Sequence, residues 1–154
     1  MTPRDRPPTM TLPISICCGV AYRNFTMIEV VAAVIQSKTE VLLARRASHK
    51  QMAGKWEFPG GKIERGESPE SAIAREIREE FDIEIQVGAW ICTGTHHYPD
   101  LTVKLTAYYA STQDTILSST DHDKIVWTHP SRLAAFDIAA ADIPIIEALN
   151  ALSG

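Results

Sequence analysis

Glu76, Glu79 and Glu80 close a stretch that opens on Gly60-Gly61-Lys62 and passes through Glu67 and Arg75. Placed on a helix at 100° per residue, the three glutamates fall within about 100° of one another. Like charges at these spacings repel by roughly some tenths of a kcal/mol per pair, so an unassisted helix resists them. A hard divalent cation on the patch would give that repulsion a purpose. Mg2+ takes carboxylate, carbonyl and water oxygens and bridges to phosphate groups. The glycine loop before the helix offers a backbone carbonyl, and Lys62, just after the double glycine, is placed to meet a phosphate. A plainer reading, a solvated acidic face, accounts for the three glutamates alone equally well.

The glutamates need a helix, and the helix needs something to lie on. Ser68-Pro69 supplies a cap and a first-turn proline, and the helix runs to about Phe81. Ile73, Ile77 and Phe81 form an apolar stripe beside the acidic face, which anchors it to a sheet. Ile28–Ile35, rich in Val and Ile, reads as a buried central strand, followed by a turn at Ser37-Lys38 and a second strand at Glu40–Ala44. Gln51–Gly61 reads as a loop. Further strands are expected near Ile83–Val87, Ala89–Thr95, Thr102–Ala110 and Lys124–Thr128. Pro130–Ala135 is a short helical turn, and Ile143–Leu152 a last helix with Pro144 in its first turn. Strands on both sides of one long helix, with a second helix at the end, predict an α/β fold with a mixed sheet sandwiched between helices.

Composition narrows the possibilities from the other side. The chain has 154 residues, 45% of them hydrophobic, with 19 Asp and Glu against 15 Lys and Arg. That suits one well-cored domain and leaves no room for two of ordinary size. The formal charge of -4 disfavours a nucleic-acid polymer as partner. No apolar run reaches the roughly 18 residues of a membrane span, so no membrane partner is expected. Residues 57–84 hold nine of the 19 acidic residues and four of the 15 basic ones. A ligand carrying phosphates therefore needs a cation to neutralise that patch first. Cys17, Cys18 and Cys92 are too few and too awkwardly spaced for a disulfide framework, and point to a reducing, cytoplasmic compartment. Residues 1–26, crowded with Pro3, Pro7, Pro8 and Pro13, read as a disordered extension, or as an upstream start with Met27 the true initiator. Residues 27–154 are the single domain.

The full spacing is more specific than the glutamates. Gly61, five residues, Glu67, seven residues, Arg75-Glu76, aliphatic Ile77, one residue, Glu79-Glu80 and, two positions after Phe81, aliphatic Ile83 resembles the Nudix box. A chance match of those charged and glycine positions has a probability on the order of 10^-5 in a chain of this length. One position departs: Asp82 stands where the box has Gly, at a helix end that calls for a left-handed residue. Asp tolerates that conformation, at a modest cost. Outside the box, Arg45-Arg46-Ala47 and Gly54-Lys55-Trp56-Glu57-Phe58-Pro59-Gly60-Gly61 are similar to the MutT-type branch. Ile28 to Ala33, Val126-Trp127 and Ala141-Asp142-Ile143-Pro144 look closer to the subgroup acting on CTP.

The resemblance implies a Nudix-type α/β/α sandwich, Mg2+ as cofactor with Mn2+ as substitute, and a small-molecule nucleotide as substrate, in a monomer or weak homodimer. It implies water attack on the β-phosphorus of a nucleoside triphosphate, releasing the monophosphate and pyrophosphate. The metal positions would be Glu79 and Glu80 with the carbonyl of Gly61 or Gly60. Glu76 would act as general base or share the metal. Arg75 would serve catalysis by orienting Glu67 or Glu79. An acidic loop residue before Trp127 completes the metal set, with Asp121 favoured and Asp123 its competitor. Arg46 matches a phosphate-contacting arginine.

For the base, two readings of Asp142 stay open. An ionised carboxylate only accepts hydrogen bonds, which favours an exocyclic amine such as cytosine N4. Asp142 is also well placed simply to cap the last helix. Phe58 and Trp127 are candidate stacking walls. Of His96 and His97, adjacent on a strand, at most one can face the site. Tyr98 and Pro99 leave dinucleoside polyphosphates and ADP-ribose as a minor reading. A nucleotide sensor without catalysis would have lost box glutamates, and none is missing.

Overall fold

Alternation explains the centre of the fold. The computed structural model describes residues 26–153. Expectations for residues 1–25, including Cys17 and Cys18, lie outside the described residues. Along β1 (Thr26–Ser37), Val31, Ala33 and Ile35 face one layer while Ala32 and Val34 face the other. β2 (Glu40–Arg46) repeats the pattern, with Leu42 and Ala44 on the first side and Val41 and Leu43 on the second. Strands apolar on both faces must be covered on both faces. α1 (Pro69–Phe81) covers the first with Ala72, Ile73, Ile77 and Phe81. α2 (Ile143–Leu152) covers the second with Ile145, Ile146 and Leu149.

The seven-stranded sheet has the order β3 (Trp56–Glu57), β2, β1, β6 (Leu101–Ser111), β5 (Gln86–Tyr98), with β4 (Gly60–Lys62) also on β1 and β7 (His122–Thr128) also on β2. β1 runs parallel to β6 (Leu101–Ser111) over Thr26↔Leu101 to Ile35↔Ala110, and the other pairings are antiparallel. This is the expected mixed sheet between two helices.

Two stretches differ from expectation. Gln51–Gly61 is not all loop: it carries β3 (Trp56–Glu57), and β4 (Gly60–Lys62) begins at its end. Neither is long enough to show a strand pattern of its own. Each is a strand because a partner is waiting, Ala44 and Arg45 for β3 and Val30 to Ala32 for β4. The two strands expected at Ile83–Val87 and Ala89–Thr95 are one, β5 (Gln86–Tyr98). The apparent break at Gly88 is absorbed where the register with β6 slips between Val87 and Trp90. Ile83–Ile85 stay outside the ladder. There the Glu84 N–H is taken by Asp114 and the Glu84 carbonyl by Thr112 instead.

The ends of α1 follow the sequence. Ser68 is extended and its Oγ accepts from the Ser71 N–H at 3.2 Å. Asp82 adopts the left-handed conformation, φ 55° and ψ 42°, and its N–H bonds to the Arg78 carbonyl. The departure from glycine is thus accommodated without changing the turn.

Candidate active site

Arg75 organises the acidic face of α1. Its Nε and Nη2 grip both oxygens of Glu67 at 2.8 and 2.9 Å, and Nη2 also reaches the Lys62 carbonyl at 2.9 Å. Nη1 donates to Glu76 at 3.0 Å and to Glu79 at 3.3 Å. The fork ties the start of the box to its end, and holds the Glu67 carboxyl far below the usual range, at about 2. Arg75 thus bonds to Glu67, Glu76 and Glu79 at once. β4 lies against the same face. A β-carbon on Gly61 would overlap the Glu76 carboxylate, so glycine is what lets β4 and α1 approach there.

Glu80 is the anomaly of the site. Its Oε2 is buried and has no hydrogen-bond partner. Burial first, then the charges of Asp121, Glu76 and Glu57, push its carboxyl up to about 9. Burial also raises Glu76, against the pull of Arg75. Glu79 is largely exposed. Burial pushes Asp121 up as well, but Lys50 at 3.2 Å outweighs it and the carboxyl ends below its ordinary value. Asp123 points elsewhere, bonded to Arg45 at 2.8 Å. Among the described residues no three His, Cys, Asp or Glu groups form a closed metal cage. A hard cation that completes its shell with water and substrate oxygens needs none. The buried, unpartnered oxygen of Glu80 and an all-oxygen donor set fit such an ion.

Glu76, Glu79, Glu80 and Asp121 line a cleft of about 890 Å3. Arg46 sits along it, with Nη1 on both oxygens of Glu57 at 3.0 and 3.1 Å and Nε on the Gln51 carbonyl at 2.6 Å. Apolar Ile28, Val30, Leu101 and Val103 line the same cleft, together with Tyr98 and Asp142. Asp142 is buried and its Oδ2 accepts from the Phe58 N–H at 2.8 Å. Burial, then the charge of Glu57, pushes its carboxyl up to about 8, against Phe58 N–H and Arg46.

Residues 30–148 match the NUDIX domain family. The chain belongs to this family. It is 39% identical over 126 residues to the CTP pyrophosphohydrolase of Escherichia coli (strain K12), spanning 82% of this chain and 93% of the relative. It is 31% identical over 126 residues to the 8-oxo-dGTP diphosphatase of the same organism, spanning 81% and 98%. The solution structure of the E. coli ORF135 protein superposes with a TM-score of 0.71 at 37% identity, over 84% of this chain and 93% of that one. The crystal structure of the MutT protein from Methanosarcina mazei Go1 shares the fold, with a TM-score of 0.77 over 86% and 99% at 24% identity.

In this Nudix domain the cleft gathers Gly61, Lys62, Arg75, Glu76, Glu79, Glu80, Asp121, Arg46, Phe58 and Asp142. Three expectations need correction. The Asp142 side chain makes no cap hydrogen bond to α2. Burial pushes its carboxyl up to about 8, toward the protonated form that donates as well as accepts, a shift the residue type alone does not disclose. Phe58 is 3% exposed and belongs to the core, so its ring gives the cleft no open stacking face, and its backbone N–H is taken by Asp142. Trp127, His96 and His97 do not line the cleft, whereas Tyr98 does. His96 stacks edgewise on Tyr98, and His97 bonds to Thr102. Sequence reasoning also missed Glu57, which lines the cleft and partners Arg46. Its signal was its place in Trp-Glu-Phe-Pro-Gly-Gly.

Proposed function

We propose that this Nudix hydrolase converts nucleoside and deoxynucleoside triphosphates to monophosphates and pyrophosphate by water attack at the β-phosphorus, with cytidine-type bases, plain or modified, preferred. The observation that carries the reading is one cleft lined both by the acidic, cation-fitting face of the box helix and by apolar side chains with the buried Asp142 among them. The preference draws on the likeness to the CTP pyrophosphohydrolase. Glu76, Glu79, Glu80, Asp121 and the Gly61 carbonyl would hold Mg2+, or Mn2+ in its place. When bound, the ion neutralises the phosphates and lowers the pKa of water. Glu76, turned into the cleft by Arg75, is the group that takes the proton of the attacking water. Arg46 and Lys62 meet the phosphate chain. Asp142, held by the Phe58 N–H, addresses the base edge.

The test is a panel of triphosphates with Mg2+, scored by phosphate release after added pyrophosphatase. CTP, dCTP or a 5-substituted form should lead. Silence on all three sinks the preference, and silence on every triphosphate sinks the class. Oxidised purines belong in the panel, because a protonated Asp142 donates and accepts as an amide does, and the 8-oxo-dGTP diphosphatase is a full-length relative.

Asp142→Asn sharpens the base reading. Asn keeps an acceptor for the Phe58 N–H and a fixed donor, so it mimics the protonated acid. At pH 6.5 the variant should hydrolyse CTP with kcat/KM within about threefold of the parent, as expected when no hydrogen bond is lost. Above about pH 8 the parent ionises, loses its donor and falls behind. Superimposable profiles of kcat/KM from pH 6 to 9.5 would remove Asp142 from base reading.

A further inference from the structure

His122, the first residue of β7 (His122–Thr128), lies outside the cleft lining yet joins three of the segments that build it. Its side chain is 1% exposed. The ring stacks on Phe81, the last residue of α1, at 5.7 Å and 20°. Nε2 meets Glu57 Oε1 at 2.9 Å, and the same Glu57 holds Arg46. Nδ1 meets Ser119 Oγ at 2.7 Å, and Ser119 Oγ accepts the Asp121 N–H at 3.3 Å. A chain of hydrogen bonds thus runs from the Asp121 backbone through the buried imidazole to the Arg46 pair. For packing alone, an apolar ring on Phe81 would serve with no polar group to desolvate.

Resting on the function proposed above, we propose that His122 is a positioning residue with two separable arms: Nε2 sets Glu57 and hence Arg46 for the phosphate chain, and Nδ1 sets Ser119 and hence Asp121 beside the box glutamates. It touches neither substrate nor metal. Its contribution is the fixed geometry of two groups drawn from different strands and loops, which neither segment can fix alone.

Three variants separate the arms from mere packing. His122→Phe keeps the ring on Phe81 and removes both bonds. His122→Gln retains an amide donor toward Glu57, and Ser119→Ala cuts only the Asp121 arm. The readouts are the dissociation constant for MgCl2 alone by calorimetry, and KM for CTP at saturating Mg2+. Ser119→Ala should weaken MgCl2 binding by about tenfold with KM within twofold, the scale of one lost hydrogen bond. His122→Phe should impair both quantities, and His122→Gln should recover KM but not MgCl2 affinity. Folded His122→Phe with both quantities within twofold of the parent overturns the proposal. If that variant does not fold, unchanged MgCl2 affinity in Ser119→Ala overturns it. A parent that cleaves no triphosphate defeats the functional reading instead, and MgCl2 calorimetry still decides the Asp121 arm.

Discussion

Glu80→Gln will lower triphosphate hydrolysis by about 10²–10³-fold and, in the same protein, make the metal-free form harder to melt. The two effects have one cause. Burial and three neighbouring carboxylates raise the folded-state pKa of Glu80 to about 9, while the unfolded chain releases that proton near 4.5. Between those values the folded state holds a proton the unfolded state has lost, so stability falls as pH rises through the window. Gln carries no proton to lose. In EDTA the two proteins should melt together at pH 5. By pH 8 the variant should lead by about 5 °C, the equivalent of a couple of kcal/mol once partial solvent access is allowed for. Added MgCl2 should reverse the order, since an ion that binds only the folded parent stabilises it by mass action and finds one ligand missing in the variant. A variant that melts below the parent in EDTA at pH 8 would overturn this account of Glu80.

What the sequence disclosed and what it hid divide along physical lines. β1, β2, α1 and α2 were legible because alternating or helical apolar spacing is a property of consecutive residues. The box was legible because its charges and glycines sit at fixed spacing on one loop and one helix. β3 and β4 were hidden, since two or three residues become a strand only when a neighbour offers its edge. Glu57 was hidden for a related reason. Its partners Arg46 and His122 lie 11 and 65 residues away, and only the fold brings them to one carboxylate. The upward shift of the Asp142 carboxyl was hidden as well, because it depends on burial and the charge of Glu57 rather than on residue type. The Phe58 ring misled for the same reason: an aromatic beside a glycine loop looks available until the core around it is known.

Gly61→Ala will cost about 10²-fold in kcat while leaving Tm within about 3 °C, whereas Gly60→Ala will destabilise the fold by about 2–3 kcal/mol. The two glycines are adjacent and both lack room for a methyl group, yet they face different neighbours. At Gly60 the added carbon would overlap the carbonyl of Val31, and β1 cannot retreat from its own sheet. At Gly61 it would overlap the end of the Glu76 side chain, which swings aside at little cost in stability. The swing takes the carboxylate out of the grip of Arg75 and away from the place where it accepts a proton. The Gly61 carbonyl keeps its position and Glu76 is the one proposed metal ligand displaced, so MgCl2 affinity should fall no further than it does in Glu76→Gln. If the loss acts through Glu76, then Glu76→Gln alone should cost at least as much in kcat, and adding Gly61→Ala to it should cost almost nothing further. Losses that multiply in the double variant would assign Gly61 an effect independent of Glu76 and defeat this reading of the glycine pair.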